Sequence, residues 1–405
     1  MQETSTISAL HPRSAPRRPR VALFSGNYNC TADGANQALN RLVGYLLRHG
    51  FDVRVYSPVV PNPAFEPAGE LVGVRSIPLP GRGEYRVAVG LTRAACRDLD
   101  TFGPDVIHVS APDPLGRAAQ GYAQLRSIPL VASLHTRFET YFAFYRLGFV
   151  RATIERYLRR FYGRCDRVLV PNGPMAEMLA GDGVDPARIA IWSRGVDRTK
   201  FDPVRRSPAW RAAHCIGESE LAVLFFGRLV REKGIADFVA AFKRAALPNG
   251  RAVVIGEGPA RAEFARALPG AVFAGHLADE ALGEAVASAD VLLNPSATEA
   301  FGNVNLEAMA AGLAVISADA PSSRTLIEPG RTGLLVQPGD IAGYAEALRA
   351  LAGNGALRER LGQAARAESA RYDWDAASAA VAAVYAGLMP TSLAVKVTPL
   401  RRDAA

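Results

Sequence analysis

The sequence predicts an α/β protein of two doubly wound domains facing a central cleft. Three observations carry this prediction. Short apolar runs alternate with amphipathic helical patterns along the chain, the mark of parallel strands wrapped by helices. The rhythm breaks once, at the polar, proline-containing stretch DRTKFDPVRRSPAWRAAHCIGESE (197–220), and then restarts. The 405 residues, 49% apolar and 21% charged, suffice for two ordinary globular cores.

Taken in order, residues 1–19 lack an apolar h-region and read as a flexible basic tail, not a secretory signal. The first domain is expected over 20–197. Its candidate strands are RVALFSG (20–26), DVRVYSP (52–58), LVGVRSIPL (71–79), DVIHVSAP (105–112), PLVASLHT (129–136), RVLVPN (167–172) and IAIWSRGVD (189–197). Between the first two, Ala38, Leu39, Leu42, Tyr45 and Leu46 recur at helical spacing, and Gly50 supplies a stop. A linker is expected over 198–218 and a second domain over 219–372. Strands there are LAVLFFGRL (221–229), RAVVIGEG (251–258), AVFAGHL (271–277), DVLLNPS (290–296) and LAVISADA (313–320). A last helix within 373–390, capped by Asp373, leaves open whether it stays with its own domain or crosses back to the first. Residues 391–405 read as a tail.

Composition narrows the function classes. The longest nearly apolar stretch, 376–389, falls short of the roughly 20 residues a membrane-spanning helix needs. Cys30, Cys96, Cys165 and Cys215 show no metal or redox spacing, which suits a reducing cytoplasm. The net charge of +8 is uneven: residues 1–200 hold 26 Lys and Arg against 17 Asp and Glu, and the remainder 21 against 22. An anionic partner for the first half follows. On a helical wheel, Arg156, Arg160, Arg164 and Arg167 share one arc, while Ile154, Tyr157, Leu158, Phe161, Tyr162 and Cys165 share another. Such a helix suits either packing on its own sheet or an anionic lipid surface on the inner face of the cytoplasmic membrane. No nucleic-acid-binding motif is present, and nucleic acid is not expected as a partner.

Doubly wound domains bind ligands at the carboxyl ends of their strands, and several reactive residues fall there. After DVLLNPS come Glu299 and Glu307, flanking Phe301, Gly302 and Asn303 at a helix start. Unpaired amides and the helix dipole at such a start favour a phosphate. The two carboxylates, on the order of 6–10 Å apart, suit hydroxyls at both ends of a diphosphate ligand. After the first strand of the second domain come Arg228 and Lys233, a planar fork and a point charge suited to a diphosphate. Gly256 and Glu257 of VIGEGP, with His276 of FAGHL, follow the next strands and are placed to read a base edge. In the first domain, Gly34 opens a helix toward the cleft. His135 ends a strand and begins the aromatic stretch HTRFETYFAFY, which suits an acceptor mouth. His108 reads as packing. No GxGxxG fingerprint, zinc spacing or GxSxG elbow is present. The triplets Asp98-Leu99-Asp100 and Asp373-Trp374-Asp375 follow no strand, and no metal is expected.

The segments DGANQALNRL, SLHTRFETYFAFYRLGF, IWSRGVD, FFGRLVREKG, VIGEGP, FAGHL and TEAFGNVNLEAMAAGLAVI together resemble the retaining family-4 glycosyltransferases of GT-B fold. The resemblance spans about residues 20–390. It is nearest to the branch holding GDP-mannose-dependent α-mannosyltransferases and sulfoquinovosyldiacylglycerol synthases, many of which glycosylate lipids. It implies a hexosyltransferase using a UDP- or GDP-sugar donor, a lipid or glycan acceptor, and no metal or other cofactor. It implies that Arg228 and Lys233 grip the diphosphate and that Glu299 contacts the sugar. The amides of Phe301, Gly302 and Asn303 would hold sugar and phosphate, Glu307 the ribose, and His135 would stand near the anomeric carbon. Gly34 would let the domains close. Arg194 stands where family members often show asparagine. The alternative is a non-catalytic nucleotide-sugar or anionic-lipid binder on the same scaffold.

Overall fold

A computed structural model describes residues 17–31, 33–79, 82–135 and 151–390. The terminal tails and most of the aromatic acceptor stretch, 136–145, lie outside the described residues. The first domain runs β1 (Arg20–Phe24), α1 (Gly34–Arg48), β2 (Asp52–Ser57), β3 (Glu70–Gly73), β4 (Ser76–Leu79), β5 (Arg82–Ala88), α2 (Arg93–Phe102), β6 (Val106–Val109), α3 (Pro114–Arg126), β7 (Leu130–Ser133), α4 (Arg151–Tyr162), β8 (Arg167–Val170), α5 (Gly173–Gly181) and β9 (Ile189–Ile191). The second runs α6 (Pro208–Ala213), β10 (Leu221–Phe226), α7 (Ile235–Ala245), β11 (Gly250–Ile255), α8 (Arg261–Ala267), β12 (Val272–Gly275), α9 (Asp279–Ala287), β13 (Val291–Asn294), α10 (Asn303–Ala310), β14 (Ala314–Ala318), α11 (Pro321–Leu326), β15 (Leu334–Val336), α12 (Ile341–Gly353) and α13 (Gly355–Ser369). A last helix, α14 (Trp374–Leu388), follows.

Both large sheets are parallel. The first has the order β3-β2-β1-β6-β7-β8-β9 and the second β12-β11-β10-β13-β14-β15. Strand order reverses beside β1 in one and beside β10 in the other, which puts a crevice at each carboxyl edge. Helices cover both faces, so β6, β7 and β13 are buried along their whole length. One apolar cluster on each side of each sheet makes up the core.

The expected strand at 71–79 is two strands. β3 extends the large sheet, whereas β4 turns away and pairs antiparallel with β5, which has no apolar run to mark it. Residues expected as a linker pack on the second domain. Phe201 and Ile216 enter its core, and Arg211 donates to the Ser288 and Glu220 carbonyls. The open question about the last helix is resolved: Val381, Ala382 and Tyr385 of α14 pack into the first-domain core beside α1. Asp373 caps this helix, and Asp375 pairs with Arg48 of α1 at 2.9 Å. The other Asp-x-Asp triplet is equally structural. Asp98 accepts from Arg54 and Tyr56, and Asp100 from Tyr122. The four cysteines are free thiols.

The chain crosses between the domains near 192–197 and again near 372–374, and the two passages touch. Val196 donates its amide to the Tyr372 carbonyl at 3.0 Å. A Cβ on Gly195 would stand 2.3 Å from the Trp374 nitrogen and 2.7 Å from the Asp373 carbonyl carbon. Backbone cannot rotate away as a side chain would. Gly195→Ala is expected to cost about 1–3 kcal/mol, seen as a lower urea midpoint with an unchanged denaturant slope.

Candidate active site

The second-domain wall forms where strand order reverses between β10 and β13. β10 delivers Gly227 and Arg228, then a single 3-10 turn, Arg231–Lys233. β13 delivers the loop 295–302. The two loops are fastened together, since a Cβ on Gly234 would stand only 3.0 Å from the Pro295 backbone and the Thr298 hydroxyl donates to the Glu232 carbonyl. This brings the Lys233 ammonium to 2.5 Å from a Glu299 carboxylate oxygen. Burial alone would raise the Glu299 carboxyl. The charge and hydrogen bond of Lys233, with the charge of Arg228, outweigh it and hold the carboxyl below its usual range.

Gly302, at φ 96°, turns the chain into α10, whose start has no side-chain cap. Phe301 is buried edge-on against Tyr372. A buried polar relay fixes the helix: Asn294 donates to Asn305, Asn305 to Ser317, and Ser317 meets Ser323. The side-chain oxygen of Asn303, Oδ1, is buried and has no hydrogen-bond partner among the described residues. Glu307 sits further along α10, partly buried. Burial pushes its carboxyl up to about 7, against the charges of Lys200 and Arg41.

Three contacts bring the first domain to this wall. Gly34 opens α1, which Asp33 caps, and a Cβ there would stand 2.2 Å from the side-chain nitrogen, Nδ2, of Asn303. The starts of α1 and α10 therefore face each other. Arg228 donates to the Tyr85 hydroxyl of β5 at 3.0 Å. Asn172, after β8, donates to the Ala300 carbonyl at 2.8 Å.

His135 lies past the end of β7 with both ring nitrogens engaged. Nδ1 accepts from Arg194 at 2.8 Å, and Nε2 lies 2.8 Å from the Ser133 hydroxyl. Burial, then the charge of Arg194, holds the ring neutral. Gly256 and Glu257 follow β11 and His276 follows β12, one and two strands outward from Arg228. The Gly256 amide donates to the Gly275 carbonyl, and the Glu257 carboxylate pairs with Arg261 at 3.3 Å.

Arg228, Lys233, Glu299, Phe301, Gly302, Asn303 and Gly34 thus converge on one cleft. Tyr85, Asn172, Lys200 and Arg41 join them without having been singled out. Asn172 carried a signal, since it follows an apolar strand. Tyr85 carried none, because β5 shows no apolar run. Among the described residues, no group of three or more His, Cys, Asp or Glu could hold a metal ion.

Residues 32–200 match the family described as Glycosyltransferase Family 4, and residues 207–368 the one described as Glycosyl transferases group 1. The chain is 31% identical over 377 residues to sulfoquinovosyl transferase SQD2 of Arabidopsis thaliana, covering 91% of this chain and 74% of that protein. It is 32% identical over 362 residues to a GDP-mannose-dependent alpha-mannosyltransferase of Mycolicibacterium smegmatis, covering 88% and 94%. Among solved structures, Anabaena HepE in complex with UDP and glucose superposes with a TM-score of 0.74 at 18% identity, covering 91% of this chain and all (100%) of that one. Sucrose-phosphate synthase from Thermosynechococcus elongatus superposes with a TM-score of 0.73 at 23% identity, covering 92% and 99%. With two parallel domains meeting at their carboxyl edges, and with these relatives, the chain belongs to the family-4 glycosyltransferases of GT-B fold and is a hexosyltransferase.

Proposed function

We propose that the protein transfers a hexose from a UDP- or GDP-linked donor to a hydroxyl of a lipid or glycan, with retention at the anomeric carbon and without a metal. The observation that carries this reading is the cluster of Arg228, Lys233 and Glu299 beneath the uncapped start of α10. The diphosphate draws Lys233 from Glu299 and lies between it and Arg228. Glu299, released, accepts from the sugar hydroxyls, and Glu307 accepts from the ribose. As the sugar–phosphate bond breaks, charge grows on the leaving oxygens. The two cations and the amides near Phe301, Gly302 and Asn303 already point at that charge, so little reorganisation is needed. Closure of the domains excludes water that would hydrolyse the donor.

One feature supports a lipid acceptor at an anionic surface. Phe161, Tyr162 and Cys165, in and just after α4, are buried in the first domain, while Arg156, Arg159, Arg160 and Arg164 remain exposed and would face the lipid headgroups. Among the described residues no helix is long and apolar enough to cross a membrane.

The test is a screen of UDP-glucose, UDP-glucuronate, UDP-sulfoquinovose and GDP-mannose, with the product's anomeric configuration read by NMR. Lys233→Ala and Glu299→Ala are each expected to lower turnover about 100- to 1,000-fold with folding intact by circular dichroism. Unchanged rates in both would overturn the site, and donor binding without turnover would favour a non-catalytic binder.

Glu307 yields a second prediction. With its carboxyl raised to about 7, it is part protonated in the empty site near neutral pH. Ribose hydroxyls donate more strongly to the ionised form, so donor binding lowers its pKa and releases a proton. The diphosphate has no group titrating in this range. Donor affinity should rise between about pH 6 and pH 8, and calorimetry in buffers of different ionisation heat should show proton release. Both effects should vanish in Glu307→Gln.

A further inference from the structure

We propose that Arg194 is a positioning residue. From the passage between the domains it donates into His135 Nδ1 and thereby fixes the tautomer and orientation of that histidine and, through Ser133, of His108.

Arg194 is 4% exposed and has no carboxylate within ion-pair distance among the described residues. A buried guanidinium without an anion is costly, so what its N–H groups reach matters. One guanidinium nitrogen donates to the Trp192 carbonyl at 3.0 Å, and the other reaches His135 Nδ1 at 2.8 Å. The group also lies 5.1 Å from the Trp192 ring centroid, which braces it from one side.

The contacts beyond His135 form a continuous buried chain. His135 Nε2 is 2.8 Å from Ser133 Oγ, and Ser133 Oγ is 3.0 Å from His108 Nε2. His108 Nδ1 is 2.6 Å from the Tyr385 hydroxyl of α14. A guanidinium only donates, and that fact sets the proton of His135. His135 Nδ1 must accept, so its proton is on Nε2 and goes to Ser133 Oγ. In the proposed arrangement the Ser133 hydroxyl then donates to His108 Nε2, its other neighbour, and His108, protonated on Nδ1, donates to Tyr385. The two histidines are then opposite tautomers, the first of them set by Arg194. His135 keeps no lone pair for a proton from the acceptor hydroxyl, so its part in transfer is to hold a fixed, neutral surface at the end of β7.

The same residues join the two interdomain passages. Arg194 precedes Gly195, which is wedged against Trp374, and Tyr385 rides on the helix that returns from the second domain. The chain therefore ties both interdomain passages to the histidine at the cleft. The tautomer assignment stands by itself, whereas the effect on turnover rests on the proposed transferase reaction.

The test uses the full-length protein labelled with nitrogen-15 in its histidines, with His135 and His108 assigned by single substitutions. In the wild type, His135 should be unprotonated at Nδ1 and protonated at Nε2, and His108 the reverse. Either histidine in the other tautomer overturns the proposal. Arg194→Met should shift both rings and lower kcat about 10- to 100-fold with donor KM within about twofold, measured on whichever donor the wild type turns over. Arg194→Lys, still a pure donor, should restore most of both. Tyr385→Phe should move the His108 signals and leave those of His135 in place. A folded Arg194→Met protein with wild-type ring signals or wild-type kcat would overturn the positioning role. So would a Tyr385→Phe protein whose His135 ring shifts as it does in Arg194→Met. If Arg194→Met does not fold, the wild-type and Tyr385→Phe measurements still decide.

Discussion

The contact between the Lys233 ammonium and the Glu299 carboxylate constrains everything around it. Both side chains are largely shielded, at 22% and 16% exposure, so each charge offsets part of the other's desolvation. They meet only because β10 and β13 are adjacent, and that adjacency is the point where strand order reverses. Val223 of β10 and Val291 of β13, 68 positions apart, are thereby committed to one register. The loops that follow leave the same sheet edge and are pinned by Gly234 against Pro295 and by Thr298 on the Glu232 carbonyl. The ion pair is a consequence of the topology as much as a part of the chemistry.

Closure rests on weaker ties. Two side-chain hydrogen bonds, Arg228 to Tyr85 and Asn172 to Ala300, bridge the cleft opposite the packed crossing at Gly195. A typical hydrogen bond contributes about 0.5–1.5 kcal/mol net, and each partner here regains water on opening. The crossing, by contrast, combines backbone contact with the apolar burial of α14 on the first domain. The geometry makes the cleft side the free edge and the crossing the pivot. A donor needs only modest differential affinity to choose the closed arrangement.

Much of this was legible in the sequence because doubly wound domains advertise themselves. Fully buried strands such as β6, β7 and β13 are bare apolar runs, and site residues follow them directly, as Glu299 and Lys233 do. The failures share a physical cause. β5 pairs at the surface and reads RGEYRVA, so no apolar run marks it, and its Tyr85 was missed with it. β15 has three half-buried residues, too few for any periodicity. The stretch 198–218 looked like a linker because it is polar. Its arginines, however, satisfy carbonyls of the second domain, as Arg211 does at Ser288. Partners from the opposite domain, Arg41 near Glu307 and Asn172 at Ala300, depend on how two domains meet, and no local pattern encodes that. Arg194 was visible as a departure from the family's usual asparagine, but its contact with His135 spans 59 positions.

Charge accounting links the empty site to the occupied one. Arg228, Lys233 and Glu299 together carry one net positive charge, and a sugar-linked diphosphate carries two negative ones. The protein must supply one more positive equivalent. The uncapped start of α10 presents about half a positive charge, whereas Asp33 caps the start of α1 with a carboxylate. Lys200 and Arg41, whose charges reach Glu307, supply the remainder. Arg41 comes from the first domain, so an open cleft leaves the diphosphate less compensated. A closed one compensates it more fully and, as the glycosidic bond to phosphate breaks, holds the growing charge on the leaving group with charges and a dipole already in place. Electrostatic balance thus makes closure and bond cleavage parts of the same event in the proposed reaction.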